Sequence, residues 1–200
     1  MRGTGIIWWG KARRLWALVP ALAAFTALVT LSHAGTSVPL LSFPAAGTVP
    51  VPLLLFTPVP VVVTLVWCLD NRLPEAEASA VRSTAVADTA LAVAVCAVAS
   101  GVGAAVALLS GSTAAVATGR DTAFLAGIVL CLRPPAGQAA VLAAPAWLVV
   151  VVFFGLPSAG PPPVWTVVGH SAAAPLPLTA TLLAFVAGLS VLARSSRTSV

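Results

Sequence analysis

The stretch LWALVPALAAFTALVTL, residues 15–31, contains no charged side chain and is long enough to cross the hydrocarbon core of a bilayer as a helix. The basic residues before it are Arg2, Lys11, Arg13 and Arg14. Positive charge beside a span is kept on the cytoplasmic side, and Trp8 and Trp9 suit the headgroup region. The pattern predicts a first transmembrane helix with a cytoplasmic N-terminus.

A cleavable signal peptide is the alternative for this segment. Ser32-His33-Ala34 resembles a small-residue cleavage site, and Arg13-Arg14 resembles a twin-arginine address. The apolar run is longer than the roughly 7 to 15 residues of a signal peptide, and further spans follow it. We therefore expect the segment to be retained as a span.

Composition predicts a membrane protein independently of this stretch. Of the 200 residues, 60% are hydrophobic and 8% are charged, and the mean hydropathy is +1.06. Soluble globular chains carry about 25% charged residues. The 17 prolines and 15 glycines do not indicate disorder, because disordered chains have low hydrophobicity and high charge.

The net charge of +5 is concentrated beside apolar segments. This placement indicates membrane orientation, so we expect no nucleic-acid partner. Abundant alanine and valine, with arginine in place of lysine, are typical of a GC-rich bacterial gene. The predicted location is the bacterial cell (inner) membrane, with the lipid bilayer as the immediate partner.

The remaining predicted spans are residues 51–69, 83–109, 113–132, 139–154 and 176–193. The prediction is an all-α polytopic bundle of about six spans that occupies residues 1–200 as one transmembrane domain. Both termini are expected to be cytoplasmic, because every basic residue except Arg120 then lies inside. Pro52, Pro58 and Pro60 predict a kinked or unwound entrance to the second span.

Three of the connecting segments carry their own predictions. Residues 32–50 carry no Asp, Glu, Lys or Arg and are expected outside, whereas Arg133-Pro134-Pro135 is expected to form a short inside turn. Residues 155–175, GLPSAGPPPVWTVVGHSAAAP, contain an apolar patch too short to span. This segment is either a re-entrant loop or an amphipathic surface loop.

The densest charge lies in residues 70–82, DNRLPEAEASAVR. Pro74 suits a first helical position, and acidic residues near a helix start with a basic residue near its end favour a short cytoplasmic helix. The candidates for contact with a soluble partner are Arg72, Glu75, Glu77 and Arg82. A solvated turn is the alternative.

Asp88, Arg120 and Asp121 are ionisable residues at membrane depth. Each costs about 2.5–3.5 kcal/mol at a helix centre, so all three should face protein or water. Asp88 lies near the inner end of its span and Arg120 nearer the outer end, so no direct bridge between them is expected. Arg120 and Asp121 point about 100° apart on a helix, so each is expected to need a partner elsewhere. Alternatively, both belong to an outer loop beyond a shorter fourth span.

Small residues in the third span admit two interpretations. They are Ala99, Ser100, Gly101, Gly103, Ala104 and Ala105. They would let helices approach closely, or they simply reflect base composition.

Residues that could carry enzymatic chemistry are sparse. The cysteines, Cys68, Cys96 and Cys131, have no C-x-x-C spacing and are expected to be buried thiols. His33 and His170 lie in separate loops without a neighbouring metal ligand. Residues 5–12, GIIWWGKA, have P-loop spacing, but alanine replaces the hydroxyl residue and no strand precedes them. We expect no catalytic residue, metal or cofactor in this chain.

The order of these segments resembles the membrane-spanning (permease) subunit of bacterial ABC-2-type ABC exporters. Two spans, the charged segment 70–82, a span pair and a final pair separated by an uncharged loop follow in that order. Residues 119–147, GRDTAFLAGIVLCLRPPAGQAAVLAAPAW, resemble a family stretch in which arginine and asparagine precede a Gly/Leu-rich run. Asp121 replaces the asparagine here.

The resemblance implies a subunit that forms a homodimer or heterodimer and works with a separate cytoplasmic ATP-binding subunit. ATP would bind that partner and not this chain. The implied substrates are hydrophobic or amphipathic molecules. The alternative function is a non-transporting membrane protein, such as an assembly, immunity or anchoring partner.

Overall fold

The computed structural model describes residues 13–32, 34–71, 84–157 and 160–195, which are mostly helical. The helices are α1 (Leu18–Ser32), α2 (Pro58–Asp70), α3 (Thr84–Ser110), α4 (Thr113–Ala136), α5 (Ala143–Phe154) and α6 (Pro175–Ser195). Short 3-10 segments are found at Leu15–Ala17, Leu53–Phe56, Gly137–Leu142 and Val167–Gly169. The first three lead directly or within one residue into α1, α2 and α5.

Five helical stretches of the described chain are long and apolar enough to cross a membrane. They are Leu15–Ser32, Leu53–Asp70, Val86–Ser110, Thr113–Phe154 and Pro175–Arg194. The described helices thus agree with the prediction of a helical membrane protein. The number differs from the six predicted segments because the predicted fourth and fifth segments fall within one stretch of 42 residues.

That long stretch folds back on itself and is not a single rod. Gly137 ends α4 with φ 56° and ψ −132°, and a positive φ is accessible to glycine at little cost. The rings of Phe124 and Trp147 then lie 5.7 Å apart, whereas a straight helix would separate positions 23 residues apart by about 35 Å. Helices α4 and α5 therefore pack side by side in opposite directions.

The predicted turn at residues 133–135 was wrong. Pro134 and Pro135 lie inside the last turn of α4, which continues to Ala136. Proline removes one backbone donor from a helix, but two prolines at the very end interrupt few further bonds. The reversal comes from Gly137, whose positive φ no sequence pattern had indicated.

The described chain also contains a β-hairpin, so the all-α prediction was wrong in this segment. Strand β1 (Ser37–Ser42) pairs antiparallel with β2 (Gly47–Pro52), with Pro39 opposite Pro50. Residues 51 and 52, predicted to begin the second span, belong to β2. Pro50 and Pro52 disfavour a helix there, because each removes a backbone donor. They are tolerated in a two-stranded hairpin, in which both strands are edge strands.

The entrance to α2 is unwound, as predicted. A 3-10 segment, Leu53–Phe56, follows the hairpin, and Pro58 occupies the start of α2. Proline is favoured at the first position of a helix because its missing N–H would have had no helical partner.

The hairpin is attached to the end of α5. The backbone N–H of Phe43 donates to the carbonyl of Phe153 at 2.9 Å, and Ser42 Oγ donates to the carbonyl of Leu156 at 2.6 Å. The Phe43 ring stacks on Phe154, with centroids 5.3 Å apart. These contacts place the hairpin at the same end of the bundle as the loop after α5.

The bundle has two chemically different ends. We call the end that carries Arg13, Asp70, Asp88 and Arg133 the basic end, because Arg14 and Arg194 lie there as well. We call the opposite end, which carries residues 37–52, the hairpin end. Arg120 lies toward the hairpin end, where it contacts the loop that precedes α6.

Helix α4 is central because glycines let its neighbours approach closely. A Cβ added to Gly119 would lie 2.5 Å from Ser100 Cα on α3, and one added to Gly127 would lie 2.5 Å from the Ala184 carbonyl carbon on α6. A Cβ added to Gly188 on α6 would lie 2.7 Å from the Gly127 carbonyl oxygen. Interfaces built on small residues are typical of membrane helices.

The small residues in α3 lie on two different faces of the helix. Ser100 and Gly103 lie against α4, and Ala99 is buried. The outward positions are Gly101, Ala104 and Ala105. Helix packing accounts for the first set and does not account for the second.

Candidate functional site

A buried ion pair joins three helices at the basic end. Arg13 is 1% exposed, and its Nη2 donates to Asp88 Oδ2 at 2.8 Å while its Nη1 donates to the Leu69 carbonyl at 2.5 Å. Asp88 is 0% exposed. The segment before α1 is thereby tied to the end of α2 and the beginning of α3.

Asp88 was predicted to lie at membrane depth, but its partner Arg13 was interpreted only as a signal of orientation. Arg13 and Asp88 both lie close to the predicted inner ends of their spans. Matching ionisable residues by depth would have suggested the pair. The structure agrees with the expectation that Asp88 does not bridge to Arg120.

A second ion pair at the basic end joins α2 to α4. Arg133 donates from Nε and Nη2 to Asp70 Oδ1, at 2.9 and 2.5 Å. A cavity of about 270 Å³ lies beside this pair and is also lined by Gln138 and Leu192. The Arg14 guanidinium lies 5.5 Å from the centre of the Trp67 ring, which adds a cation–π contact at the same level.

The predicted docking segment lies in the sequence between Asp70 and Asp88, the acidic members of the two ion pairs. Its candidate residues, Arg72, Glu75, Glu77 and Arg82, lie outside the described residues. The short helix predicted there stays a prediction. The described helices establish that the segment leaves α2 at Asp70 and enters α3 shortly before Asp88.

Arg120 and Asp121 form a direct pair, so the expectation that each needs a partner elsewhere was wrong for Asp121. Arg120 Nε and Nη2 donate to Asp121 Oδ1 at 3.0 and 2.9 Å. The long arginine side chain reaches around the helix and closes the angular gap between adjacent positions. Both residues are buried, with Arg120 8% and Asp121 3% exposed.

Arg120 also binds the loop that precedes α6, so it has the remote partners that were expected. Its Nη1 donates to the Ser171 carbonyl at 2.7 Å. Its Nη2 donates to the carbonyls of His170 and Val167, at 2.8 and 3.1 Å. Placement of Arg120 within the described α4 excludes the alternative of an outer loop for this residue.

The loop between α5 and α6 folds back onto the bundle. Val167 and Val168 are buried, and the Trp165 ring meets the Trp147 ring edge-on at 6.3 Å. Val164 stays exposed, so the apolar patch divides between an inward and an outward side. Arg120 and these contacts anchor the loop to α4 and α5.

A cavity of about 610 Å³ lies between this loop, the first turns of α4 and the entrance to α2. Its lining includes Leu55, Val116, Asp121, Val168 and His170. The walls are mostly apolar, with a few polar groups on α4 and on the loop. A volume of roughly 300–1,000 Å³ with few polar groups is usual for sites that bind small molecules.

The thiols and the histidine do not assemble a metal site in the described part of the chain. No group of three or more His, Cys, Asp or Glu side chains is arranged there to hold a metal ion. Cys68 and Cys96 are buried free thiols, and Cys131 is partly buried. The ring Nε2 of His170 lies 3.1 Å from the Pro163 carbonyl, within its own loop.

Comparison of the chain with protein-family models, curated proteins and solved structures finds no match. The resemblance to ABC-2 permeases therefore rests on the segment order and on the stretch 119–147 alone.

Proposed function

We propose that the chain is the membrane subunit of an ABC-type exporter in the bacterial cell membrane, driven by a separate cytoplasmic ATPase. In this proposal it crosses the bilayer six times and has both termini inside. The exported molecule is hydrophobic or amphipathic, and the functional assembly is a dimer of membrane subunits with the ATP-binding partner.

Charge placement supports the orientation. The described basic residues at the basic end are Arg13, Arg14, Arg133 and Arg194. Arg120, toward the other end, is paired with an acid and held by carbonyl groups. The positive-inside rule then assigns the basic end to the cytoplasm.

The fold-back at Gly137 supports six crossings. Residues 137–154, which are 18 residues of 3-10 and α-helix, would extend about 27 Å at 1.5 Å per residue. That length approaches the hydrocarbon thickness of about 30 Å. Helices α4 and α5 then count as two crossings, which returns α6 to the cytoplasmic side.

The coupling role is supported by the ion pairs of α2 and α3, the two helices that flank the segment 70–82. Asp70 is ion-paired to Arg133 on α4, and Asp88 is ion-paired to Arg13 before α1. A displacement of the segment would therefore reach four helices through short, charged contacts. A loop attached in this way suits a contact through which an ATPase moves a membrane domain.

The second candidate, a non-transporting assembly, immunity or anchoring protein, is favoured by one observation. The glycine contacts of α4 with α3 and α6 bring the helix backbones so close that an added Cβ at Gly119 or Gly127 would lie 2.5 Å from the neighbouring helix. Such packing favours a bundle of fixed shape. The two candidates differ in whether an ATPase binds the chain.

Co-purification from the native host tests the proposal. We expect an ATP-binding subunit to co-purify with the parent chain in mild detergent, and the double variant Glu75→Lys, Glu77→Lys to lose it while still inserting. Arg194→Glu is the matched control, because it reverses an exposed charge at the same end outside the segment. Absence of an ATPase from the parent preparation, or its retention by the double variant, would contradict the proposal.

A further inference from the structure

The cavity of about 610 Å³ beside Asp121 is the feature of the molecule that points to a ligand. Leu54, Leu55, Val116 and Val168 contribute apolar wall. Asp121 is the acidic side chain among the described lining residues. A largely apolar cavity with one acid in its lining suits a molecule with a hydrocarbon part and a hydrogen-bond donor.

Asp121 is buried, and one of its two carboxylate oxygens accepts the hydrogen bonds from Arg120. Oδ1 receives both N–H groups from Arg120, whereas Oδ2 receives no hydrogen bond from a residue that the structure describes. The residue lines the cavity while being 3% exposed. An unused carboxylate oxygen at a site of low dielectric constant attracts a charged donor more strongly than a neutral one.

Arg120 does not compete for the ligand. Its guanidinium is occupied by Asp121 Oδ1 and by the carbonyls of Val167, His170 and Ser171. These acceptors offset its positive charge on the side facing the loop. The negative end of the pair is then the Asp121 oxygen that remains.

Depth in the bundle narrows the ligand class. Asp121 is eight residues beyond Thr113, or about 12 Å along α4 from the hairpin end. A strongly hydrated ion would lose its water at that depth, whereas an amphiphile brings its own apolar part. We infer that the cavity binds an amphipathic molecule with a primary ammonium group, which donates to Asp121 Oδ2 while its hydrocarbon part lies along the apolar wall.

This inference is independent of the exporter proposal, since a bundle of either candidate function could hold such a ligand. The ammonium could belong to a free amphiphile or to a phosphatidylethanolamine of the bilayer. Both sources present the same group to Asp121, and the lipid composition of the assay separates them.

Protection of a cysteine at the cavity tests the inference. The full chain, with Cys68, Cys96 and Cys131 each changed to Ala, carries Ala173→Cys, an exposed position of the lining loop. It is placed in nanodiscs of phosphatidylcholine and phosphatidylglycerol, and the rate of maleimide modification is measured with dodecylamine, dodecanol or dodecanoate. Ala34→Cys, an exposed position at the hairpin end outside the cavity, is the matched control.

We expect dodecylamine to protect Cys at position 173 at concentrations about tenfold lower than dodecanol, because its bond to Asp121 is charge-assisted. Dodecanoate should protect least. Asp121→Asn should remove the advantage of the amine, and the Ala34→Cys control should be modified at the same rate with all three. If phosphatidylethanolamine in the disc protects without added amine and in an Asp121-dependent way, the lipid is the source.

Equal protection by dodecylamine and dodecanol would overturn the inference, as would an advantage of the amine that survives Asp121→Asn. Equal slowing at Ala34→Cys would show general partition into the bilayer and would also overturn it. The comparison of the three amphiphiles uses the chain with Asp121 intact, so it decides the matter even if Asp121→Asn does not fold.

Discussion

At the scale of single residues, the ionisable side chains of this protein act as connectors between elements. Arg13 and Asp88 join the segment before α1 to α3, and Arg133 and Asp70 join α4 to α2. Removing one member of a buried pair leaves the other charged and uncompensated, which costs more than the pair itself contributes.

The Arg13–Asp88 pair yields a prediction about stability. Asp88→Asn should lower the free energy of unfolding by about 3–5 kcal/mol, because it removes the negative charge of the carboxylate that the buried Arg13 guanidinium binds. Arg14→Ala should cost about 0.5–1 kcal/mol, because the exposed Arg14 contributes a cation–π contact with Trp67. Unfolding by SDS titration in mixed micelles gives both values.

A combined variant separates charge from shape in the same pair. Arg13→Met with Asp88→Leu removes both charges and keeps apolar volume, so it should recover most of the stability lost in Asp88→Asn. An equal loss in the single and combined variants would mean that the pair is not what stabilises this region.

Part of the candidate site could be predicted from the sequence at the level of single residues. Depth in the membrane singled out Asp88, Arg120 and Asp121 as residues that must be shielded, and the structure buries all three. Their partners could not be read from spacing. The carbonyls that hold Arg120 belong to a loop about 50 residues later, whose backbone conformation no local pattern specifies.

At the scale of elements, hydrophobic segments predicted the helices well because lipid imposes length and apolarity on any span. The hairpin at 37–52 was missed because an uncharged loop and a pair of proline-containing strands have the same composition. The fold-back of α4 onto α5 was placed too early because Pro134 and Pro135 seemed the stronger breakers. The reversal instead follows Gly137, whose positive φ ends α4.

The glycine contacts of α4 give a prediction at this scale. Gly127→Ala should destabilise the bundle by about 1–3 kcal/mol, because the new Cβ would lie 2.5 Å from the Ala184 backbone and force α4 and α6 apart. Gly101→Ala on α3 is the matched control. It meets no atom within 4 Å and should be neutral or stabilising by up to about 1 kcal/mol.

The same SDS titration measures the two variants side by side. Equal stability of Gly127→Ala and the parent would show that α4 and α6 can separate by the width of a methyl group at no cost. That result would remove the argument for a bundle of fixed shape, and with it the observation that favours a non-transporting function.

At the scale of the whole molecule, the two ends divide the chemistry. The basic end holds two ion pairs that connect helices across the bundle, and the hairpin end holds the anchored loop and the larger cavity. Helix α4 connects the two ends, because it carries Arg133 near its end and Asp121 near its beginning. A displacement at the basic end would therefore reach the cavity through α4. Either function therefore depends on how this helix is oriented in the membrane.

Orientation is the subject of the last prediction. Reporter fusions after Gly35, Glu77, Ser112, Gly137 and Pro162 and at the C-terminus should read outside, inside, outside, inside, outside and inside. The decisive positions are Gly137 and Pro162, because they bracket α5, which hydropathy joins to α4 in one stretch. The fold-back at Gly137 brings Trp147 beside Phe124, so the two positions should lie on opposite sides of the bilayer. An inside signal at Pro162 would mean that α5 does not cross, and five crossings would then place the C-terminus outside with Arg194 on the wrong side for the positive-inside rule.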